Sequence, residues 1–393
     1  PDVETVNQFL VDLAEHARTP ALAEIAELKT IAQHDGIDEL KPWDTTYYSE
    51  KLKQAKYSIS DEALRPYFPE TKVVPGLFSV LGKLFGISVQ KRDGVDVWHP
   101  DVSFYDIFDA KGELRGSFYL DLYARAKKRG GAWMDDCQGR RWKADGSLQH
   151  PVAYLTCNFN KPVGGKPALF THDEVVTLFH EFGHGLHHML TEVDHIAVAG
   201  THGVDWDAVE LPSQFMEFWT WDHESLDLLS EHIETKQHLP QNLLKALLDA
   251  RFFQSGIQTL RQIEFALFDL SIHKHNPALN AAQVQATLDD IRQKYAVAPT
   301  AGYNRFQHSF SHIFAGGYGA GYYSYLWSET MDADTWAAFT EKGDVWDKET
   351  AARFRLMLLS TGNETDRAEA YRAFRGRDPD VKPLLARRGF PTK

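Results

Sequence analysis

The stretch "HEFGHGLHHML", residues 180 to 190, contains four histidines and one glutamate. His180 and His184 are four positions apart, slightly more than one turn of an α-helix, so their imidazoles project from one face and can bind one metal ion. Glu181 follows His180 directly, which allows its carboxylate to reach a metal-bound water molecule rather than the metal. The pattern H-E-x-x-H therefore predicts a zinc site in which Glu181 is the general base.

The residues around this pattern predict that it lies inside a helix covering about residues 172 to 190. Thr171 and Glu174 have the spacing of a capping box. A chance match to so short a pattern has a probability of about 5% in a chain of this composition, so a solvated helix with incidental histidines remains the alternative. Helical spacing of apolar residues predicts one buried stripe, formed by Val175, Leu178, Phe179, Phe182 and Leu186.

A catalytic zinc ion usually has three protein ligands and one open position. His187 and His188 are poor third ligands, because they lie about 5 Å or more along the helix axis from His184. We expect these two histidines to be exposed or to support the ligands from behind.

A better third ligand is Glu210, in the segment "DWDAVELPSQFMEFW". A proline follows closely, as is common in the first turn of a helix. Ser213, Gln214 and Glu217 share one polar face with Glu210 on an otherwise aromatic helix. This face predicts one carboxylate ligand, with Glu217 hydrogen-bonded behind a histidine ligand. A solvated surface position is the alternative for Glu217.

Composition limits the class of protein. The chain has 393 residues, of which 43% are hydrophobic and 25% charged, as in ordinary globular proteins. A formal net charge of −13 argues against a nucleic-acid binder, which needs a basic surface. No apolar run is long enough to span a bilayer, so no membrane partner is expected. Cys137 and Cys157 cannot form a disulfide framework, which favours a reducing, cytoplasmic setting.

The hydrophobic pattern predicts a mainly α protein with a small β-sheet (α+β). Residues 1–86 form a helical region, in which we expect two helices broken near Pro20 and a later helix ending near Gly86. The small sheet covers about residues 87–160, and helices follow the zinc helix. Four stretches predict its strands: "ISVQKRD", "VWHPDVSFYDIFD", "LRGSFYLDLYAR" and "VAYLTCNF". The last of these, residues 152–159, either offers an edge to an extended substrate or is a buried strand.

Three segments carry a family resemblance: "FHEFGHGLHHML", "AGTHGVDWDAVELPSQFMEFW" and "FSHIFAGGYGAGYYSYLWSE". They resemble the thimet oligopeptidase family of zinc metallopeptidases, and the resemblance runs through the whole chain. It implies the zincin-like core of a helical oligopeptidase, with a catalytic region at 87–393. It also implies that the chain is the C-terminal, catalytic part of a longer, two-lobed protein. Transferred to this sequence, the zinc ligands are His180, His184 and Glu210, and the general base is Glu181.

The third segment is a glycine-rich loop that leads into a tyrosine-rich helix. In the family this loop closes over the substrate, and its tyrosines hydrogen-bond the scissile carbonyl. Glycines make a loop mobile, and phenol hydroxyls can donate to an oxyanion. Tyrosines packed in a core with satisfied hydroxyls are the alternative. The resemblance assigns catalytic roles to Tyr318, Tyr325 and His312, and substrate binding to Tyr322, Gly316 and Gly317.

The predicted function is that of a zinc-dependent endopeptidase, with one zinc ion per chain, that hydrolyses short, unfolded peptides. We expect a monomer that needs the N-terminal part of the longer protein to restrict substrate size. A zinc- or peptide-binding fragment without turnover is the alternative. A thermolysin-like secreted protease is disfavoured by the glycine- and tyrosine-rich segment.

Overall fold

The computed structural model describes residues 1–274 and 278–392, and it confirms a mainly helical chain with a small sheet. The helices are α1 (Val3–His34), α2 (Thr45–Tyr57), α3 (Asp61–Leu64), α4 (Glu70–Phe85), α5 (His172–Met189), α6 (Trp206–Val209), α7 (Leu211–Glu217), α8 (His223–Leu229), α9 (Gln241–Asp249), α10 (Ser255–His273), α11 (Ala281–Tyr295), α12 (Ser311–Ala315), α13 (Ser324–Thr340), α14 (Lys348–Phe354), α15 (Arg367–Arg375) and α16 (Lys382–Arg387). The strands are β1 (Ser88–Lys91), β2 (Ser103–Phe108), β3 (Leu114–Tyr123), β4 (Trp133–Gln138), β5 (Arg141–Trp142), β6 (Leu148–Gln149) and β7 (Val152–Phe159).

The chain divides into two compact units, and each is built from separate stretches of sequence. The predicted helical region 1–86 and catalytic region 87–393 stay a prediction. Unit 1 contains Pro1–Ser60, Ala246–Thr330 and Val381–Lys393, and unit 2 contains Asp61–Lys245 and Met331–Asp380.

In unit 1, α1 packs lengthwise against α10. The predicted break near Pro20 is wrong, because α1 continues through this proline. A proline inside a helix costs about 3 kcal/mol, so packing must offset it. The backbones of the two helices approach so closely here that a Cβ added at Gly256 would lie 2.5 Å from the Ala21 nitrogen. The carboxylate of Glu24 also accepts the backbone N–H groups of Gly256 and Ile257, at 3.1 and 2.8 Å, at the start of α10.

Unit 2 contains a five-stranded sheet in the order β1-β2-β3-β7-β4, in which β3 and β7 are parallel and the other neighbours antiparallel. The four predicted strands are present as β1, β2, β3 and β7. The sequence did not predict β4, because its side chains are largely exposed and show no apolar alternation. Since β7 lies between β3 and β4, it is an inner strand, and the edge-strand alternative for residues 152–159 is wrong. The edge on this side is β4.

Helix α5, which contains the H-E-x-x-H pattern, packs against one face of this sheet. Phe182 lies edge-on to Phe118 of β3, with ring centroids 5.1 Å apart, and both side chains are fully buried.

The C-terminal cap of α4, Gly86, has φ of 67°, which confirms the predicted helix end. Both cysteines are free thiols, Cys137 exposed on β4 and Cys157 buried on β7. Among the described residues, no helix is long and apolar enough to cross a bilayer.

Candidate active site

The predicted capping box starts α5. The Thr171 hydroxyl accepts the Glu174 backbone N–H at 3.1 Å, and the Glu174 carboxylate accepts the Thr171 N–H at 2.8 Å. The helix then runs without interruption through the H-E-x-x-H pattern. His180 and His184 therefore lie on one face, with their ring centroids 5.1 Å apart.

The structure brings Glu210 to these two histidines. The Glu210 Oε2 atom lies 3.3 Å from His180 Nε2 and 3.2 Å from His184 Nε2. One ligand atom from each residue lies within 4.8 Å of the others, and no other group of this kind occurs among the described residues. The third ligand predicted from the polar face of residues 210–217 is thus part of the same cluster.

Close contact between α5 and α7 explains this placement. A Cβ added at Gly183 would lie 2.4 Å from the Pro212 carbonyl oxygen and 2.5 Å from Ser213 Cα. Only a glycine allows the two backbones to touch at this point. Because Glu210 directly precedes α7, this contact fixes its carboxylate opposite His180 and His184.

Glu210 is fully buried, yet its surroundings favour the charged form. Burial alone raises the pKa of this carboxyl, but the imidazoles of His184 and His180 outweigh that effect and hold the pKa well below its usual value. The Ser213 hydroxyl also donates to Glu210 Oε2 at 3.0 Å. A positive charge beside this buried anion, on an imidazole or on a bound metal ion, compensates it.

The donor set fits zinc. Metal–ligand bonds of about 2.0 Å in a tetrahedron give ligand–ligand distances of about 3.3 Å. The distances from Glu210 Oε2 to the two Nε2 atoms, 3.2 and 3.3 Å, match this value. Two imidazoles and one carboxylate are a common ligand set of catalytic zinc sites.

Glu217 contacts the other ring nitrogen of His180, at 2.7 Å from Nδ1. A carboxylate can only accept, so the Nδ1 atom carries the hydrogen, and Nε2 is the ring nitrogen that could bind a metal ion. The Glu217 side chain is only 20% exposed. This position is not a freely solvated one, although a role for Glu217 in the reaction stays a prediction.

Glu181 is buried beside the cluster. Burial raises the pKa of its carboxyl, and the nearby His180 and His184 partly offset this effect. The backbone N–H of Met134, in the edge strand β4, also lowers this pKa. In the described part of the chain one carboxylate oxygen, Oε2, is buried without a hydrogen-bond partner. This oxygen is therefore able to accept a proton.

The two remaining histidines of the motif are buried, so the expectation of exposure is wrong. The cover over the end of α5 explains this: His188 Nε2 lies 3.1 Å from the Gln138 carbonyl in β4, and Gly200 packs against His188. Neither ring nitrogen of His187 has a hydrogen-bond partner among the described residues. Burial, helped by the charge of Arg367, lowers the pKa of His187 to about 3.

In unit 1 the predicted loop residues form a separate aromatic cluster. The Tyr318 and Tyr325 rings stack with centroids 5.1 Å apart and planes within 16°. Tyr322 lies 5.1 Å from Tyr325, and His312 lies 5.7 Å from Tyr322 and 6.1 Å from Tyr318. Gly317, with φ of 87°, provides a left-handed turn just before these tyrosines. We call His312, Tyr318, Tyr322 and Tyr325 the tyrosine cluster.

Tyr322 is the most enclosed of the three tyrosines. Its ring is 7% exposed, and its hydroxyl donates to Gln262 Oε1 at 2.9 Å. This arrangement fits the core-packing alternative, so substrate binding by Tyr322 stays a prediction. Tyr318 and Tyr325 are only partly buried.

Asp269 of α10 is a site residue that the sequence did not predict. Its fully buried carboxylate accepts the backbone N–H groups of Ala320 and Tyr322, at 2.8 and 2.9 Å. His273 contacts the same carboxylate at 2.8 Å. Asp269 thus fastens the end of the glycine-rich loop. An aspartate inside the apolar stretch "FALFDLSIH" was the available signal.

The chain is similar in sequence to several known proteins. The chain is 55% identical over 388 residues to Oligopeptidase A of Escherichia coli (strain K12), with 98% of this chain and 57% of that protein covered. It is 52% identical to Oligopeptidase A of Haemophilus influenzae, with the same shares covered. The chain therefore spans a little over half the length of these relatives.

The fold also has a solved counterpart. A structure described as PZ peptidase A with inhibitor 2 matches with a TM-score of 0.59 at 15% identity, covering 99% of this chain and 57% of that one. At this identity the likeness shows the fold alone. A model of the family described as Peptidase family M3 matches residues 1–390. The predicted family is thereby confirmed, and the chain belongs to peptidase family M3.

Proposed function

We propose that the chain is the catalytic part of a zinc-dependent endopeptidase that hydrolyses short, unfolded peptides, with one zinc ion per chain. The observation that carries this proposal is the convergence of His180, His184 and Glu210 beside the buried Glu181. Membership of peptidase family M3 and the similarity to proteins named Oligopeptidase A support it. A cytoplasmic setting and a monomeric state are part of the same proposal.

The three ligands each have a defined role. His180, His184 and Glu210 hold the metal through Nε2, Nε2 and Oε2. A bound Zn²⁺ polarises the peptide carbonyl and lowers the pKa of water towards neutrality. Glu217 fixes the ring orientation of His180 from behind, and Ser213 fixes the Glu210 carboxylate.

Glu181 moves the proton. Its Oε2 atom takes a proton from the attacking water and passes it to the amine of the departing peptide half. Burial raises the pKa of Glu181, which makes the protonated form easier to reach at neutral pH.

The tyrosine cluster provides the hydrogen-bond donors. Tyr318 and Tyr325 donate their hydroxyl hydrogens to the oxyanion that develops on the scissile carbonyl, and each donor contributes about 10²- to 10³-fold to kcat. Tyr322, Gly316 and Gly317 bind the substrate. His312 takes part in catalysis together with Tyr318 and Tyr325.

The test is hydrolysis of a quenched fluorescent peptide by wild type and by Glu181→Gln. We expect the variant to retain one zinc ion per chain but to lose about 10²- to 10⁴-fold in kcat. Glu113→Gln, at an exposed position, is the matched control and should be unaffected. Near-normal turnover by Glu181→Gln would refute the general-base role.

A chelator separates this function from the alternative, a zinc- or peptide-binding fragment without turnover. Cleavage that a chelator abolishes and zinc restores supports the endopeptidase. Stoichiometric zinc with no chelator-sensitive cleavage of any short peptide supports the binding fragment. We expect the whole protein not to cleave folded proteins of the size of casein.

A further inference from the structure

A pocket lies in unit 2, between the C-terminal end of α4 and the helix α14. Its volume is about 580 Å³, within the range of small-molecule sites. Three cationic side chains line it, Lys83, Lys348 and Arg355, and no lining residue is acidic. None of its residues belongs to the tyrosine cluster or to the group of His180, His184 and Glu210, which we call the metal cluster. The proposed peptidase function therefore leaves this pocket unexplained.

Arg355 lacks the partners that a half-buried guanidinium normally has. In residues 1–274 and 278–392 it forms no ion pair, and its buried Nε atom has no hydrogen-bond partner. Its one hydrogen bond is a long contact of 3.4 Å from Nη1 to the Phe85 carbonyl. Burial lowers the pKa of Arg355, and the charge of Arg115 lowers it further. A buried donor without a partner calls for a specific explanation.

The two lysines differ in how they are held. Lys83 is paired with Glu224 and sits 4.0 Å above the Trp346 ring, so its position is fixed. Lys348, at the start of α14, forms no ion pair with any described residue. Arg355 and Lys348 thus line one pocket, and neither forms an ion pair with a described residue, although the charges of Glu192 and Asp109 act on Arg355 from outside the lining.

The backbone at Arg355 is also unusual. Residues Arg355–Leu359 form a π-helical turn that continues α14. Such turns occur mostly as single insertions in helices and are frequent at functional sites. The walls around it are firm, because Phe354 stacks on Phe85 with centroids 6.4 Å apart. Arg355 therefore belongs to a well-packed helical turn and not to a loop.

The remaining lining is apolar. Leu84, Phe85, Ala352 and Leu356 provide it, and Leu356 is 54% exposed. An isolated inorganic ion would leave the exposed Leu356 side chain in water. A ligand with a charged group and an apolar body would cover both kinds of surface.

We propose that this pocket binds a small organic anion, with a carboxylate or phosphate group on Arg355 and Lys348 and an apolar body against Leu84 and Leu356. Arginine suits this role because its planar guanidinium can bind either group through two parallel hydrogen bonds. Carboxylate and phosphate share this chemistry, and the experiment distinguishes them. The proposal does not depend on the peptidase function.

The experiment is calorimetric titration of the whole chain at about 0.15 M salt, where exposed charges are screened. The probes are phenyl phosphate, 3-phenylpropionate and inorganic phosphate, with benzyl alcohol as the uncharged analogue. We expect one of the two aromatic anions to bind with a stoichiometry of one, and both inorganic phosphate and benzyl alcohol to bind about tenfold more weakly or worse. The tighter aromatic anion identifies the charged group.

The variants decide whether the pocket is the site. Arg355→Gln should raise Kd by about tenfold or more, the size expected for a charge-assisted hydrogen bond, and Lys348→Gln by a smaller factor. Arg141→Gln, an exposed arginine of the same unit, is the matched control and should not change Kd. If Arg355→Gln does not fold, Arg355→Lys should still weaken binding several-fold. Saturable binding that survives these changes, as at a metal ion, or no saturable binding of either aromatic anion, overturns the proposal.

Discussion

The metal cluster of unit 2 and the tyrosine cluster of unit 1 fix their side chains by different means. His180, His184 and Glu210 come from helices whose backbones touch at Gly183, and a hydrogen bond from Ser213 holds the Glu210 carboxylate. The tyrosines come from a loop and the helix after it, and their rings pack against one another and, at Tyr322, against Phe265 and Phe310. The loop is fastened at one end by a single buried acid, Asp269.

This difference has a functional meaning. Metal ligands must keep distances within a few tenths of an ångström, so they need rigid elements. Donors to a transient oxyanion need to approach only when substrate is bound, and a glycine-containing loop permits that movement. The two regions should therefore respond differently to substitution, in metal affinity for the first and in turnover for the second.

The largest effect is expected at Glu210. Glu210→Gln removes the negative charge and a strong ligand, and should weaken zinc binding by about 10³-fold or more, with loss of hydrolysis. Glu217→Gln keeps all three ligands and should weaken zinc binding by only about 10- to 100-fold. Competition with a zinc-sensitive dye measures both affinities. Equal losses in the two variants would show that Glu217, and not only Glu210, binds the metal directly.

A smaller loss, of turnover and not of zinc affinity, is expected on substitution in the tyrosine cluster. Tyr325→Phe and Tyr318→Phe keep the stacked rings but remove the hydroxyl donors, and each should lower kcat by about 10²- to 10³-fold. Zinc affinity and KM should change little, because the donors act on the transition state. Tyr323→Phe, at a position outside the cluster, is the control. A change confined to KM would assign these tyrosines to ground-state binding instead.

The sequence predicts the metal cluster well because local periodicity determines most of it. Helical spacing places His180 and His184 on one face, and the polar stripe that begins at Glu210 marks the partner helix. The burial of His187 and His188 was not predictable in the same way, because it depends on β4 and the segment around Gly200, distant in sequence.

The fold shows the same limit. The inner strands of the sheet alternate in polarity and could be recognised, whereas β4 pairs through its backbone and exposes most side chains. Pro20 predicted a break that packing against Gly256 prevents. Asp269 contacts amides more than fifty residues further along the chain, and no local pattern reveals such a partner.

Asp269 offers a test of how the loop is held. Asp269→Asn keeps the shape of the side chain but replaces one acceptor oxygen by a donor, so one of the two loop N–H groups loses its partner. We expect about tenfold lower kcat with unchanged zinc affinity, and faster amide hydrogen exchange at Ala320 and Tyr322. Asp290→Asn, exposed on α11, is the matched control. Unchanged exchange at both amides would mean that Asp269 does not hold the loop.

The smallest effect on activity at neutral pH is expected at His187, whose role concerns stability. The pKa of His187 is about 3 in the folded chain, because of burial, and about 6.5 when unfolded. Between these values only the unfolded chain binds the proton, so falling pH lowers the free energy of unfolding, by roughly 2 kcal/mol between pH 7 and pH 5. Urea unfolding with excess chelator, which removes metal binding from both states, measures this change.

The variant His187→Leu isolates the contribution of this side chain. It cannot be protonated, so its stability should fall less between pH 7 and pH 5 than that of wild type, by the same roughly 2 kcal/mol. His195→Gln, at an exposed position, should keep the wild-type dependence. An identical pH dependence in wild type and His187→Leu would mean that the imidazole gains a proton in the folded chain. The rigid packing inferred for the helix of the metal cluster would then be wrong at its C-terminal end.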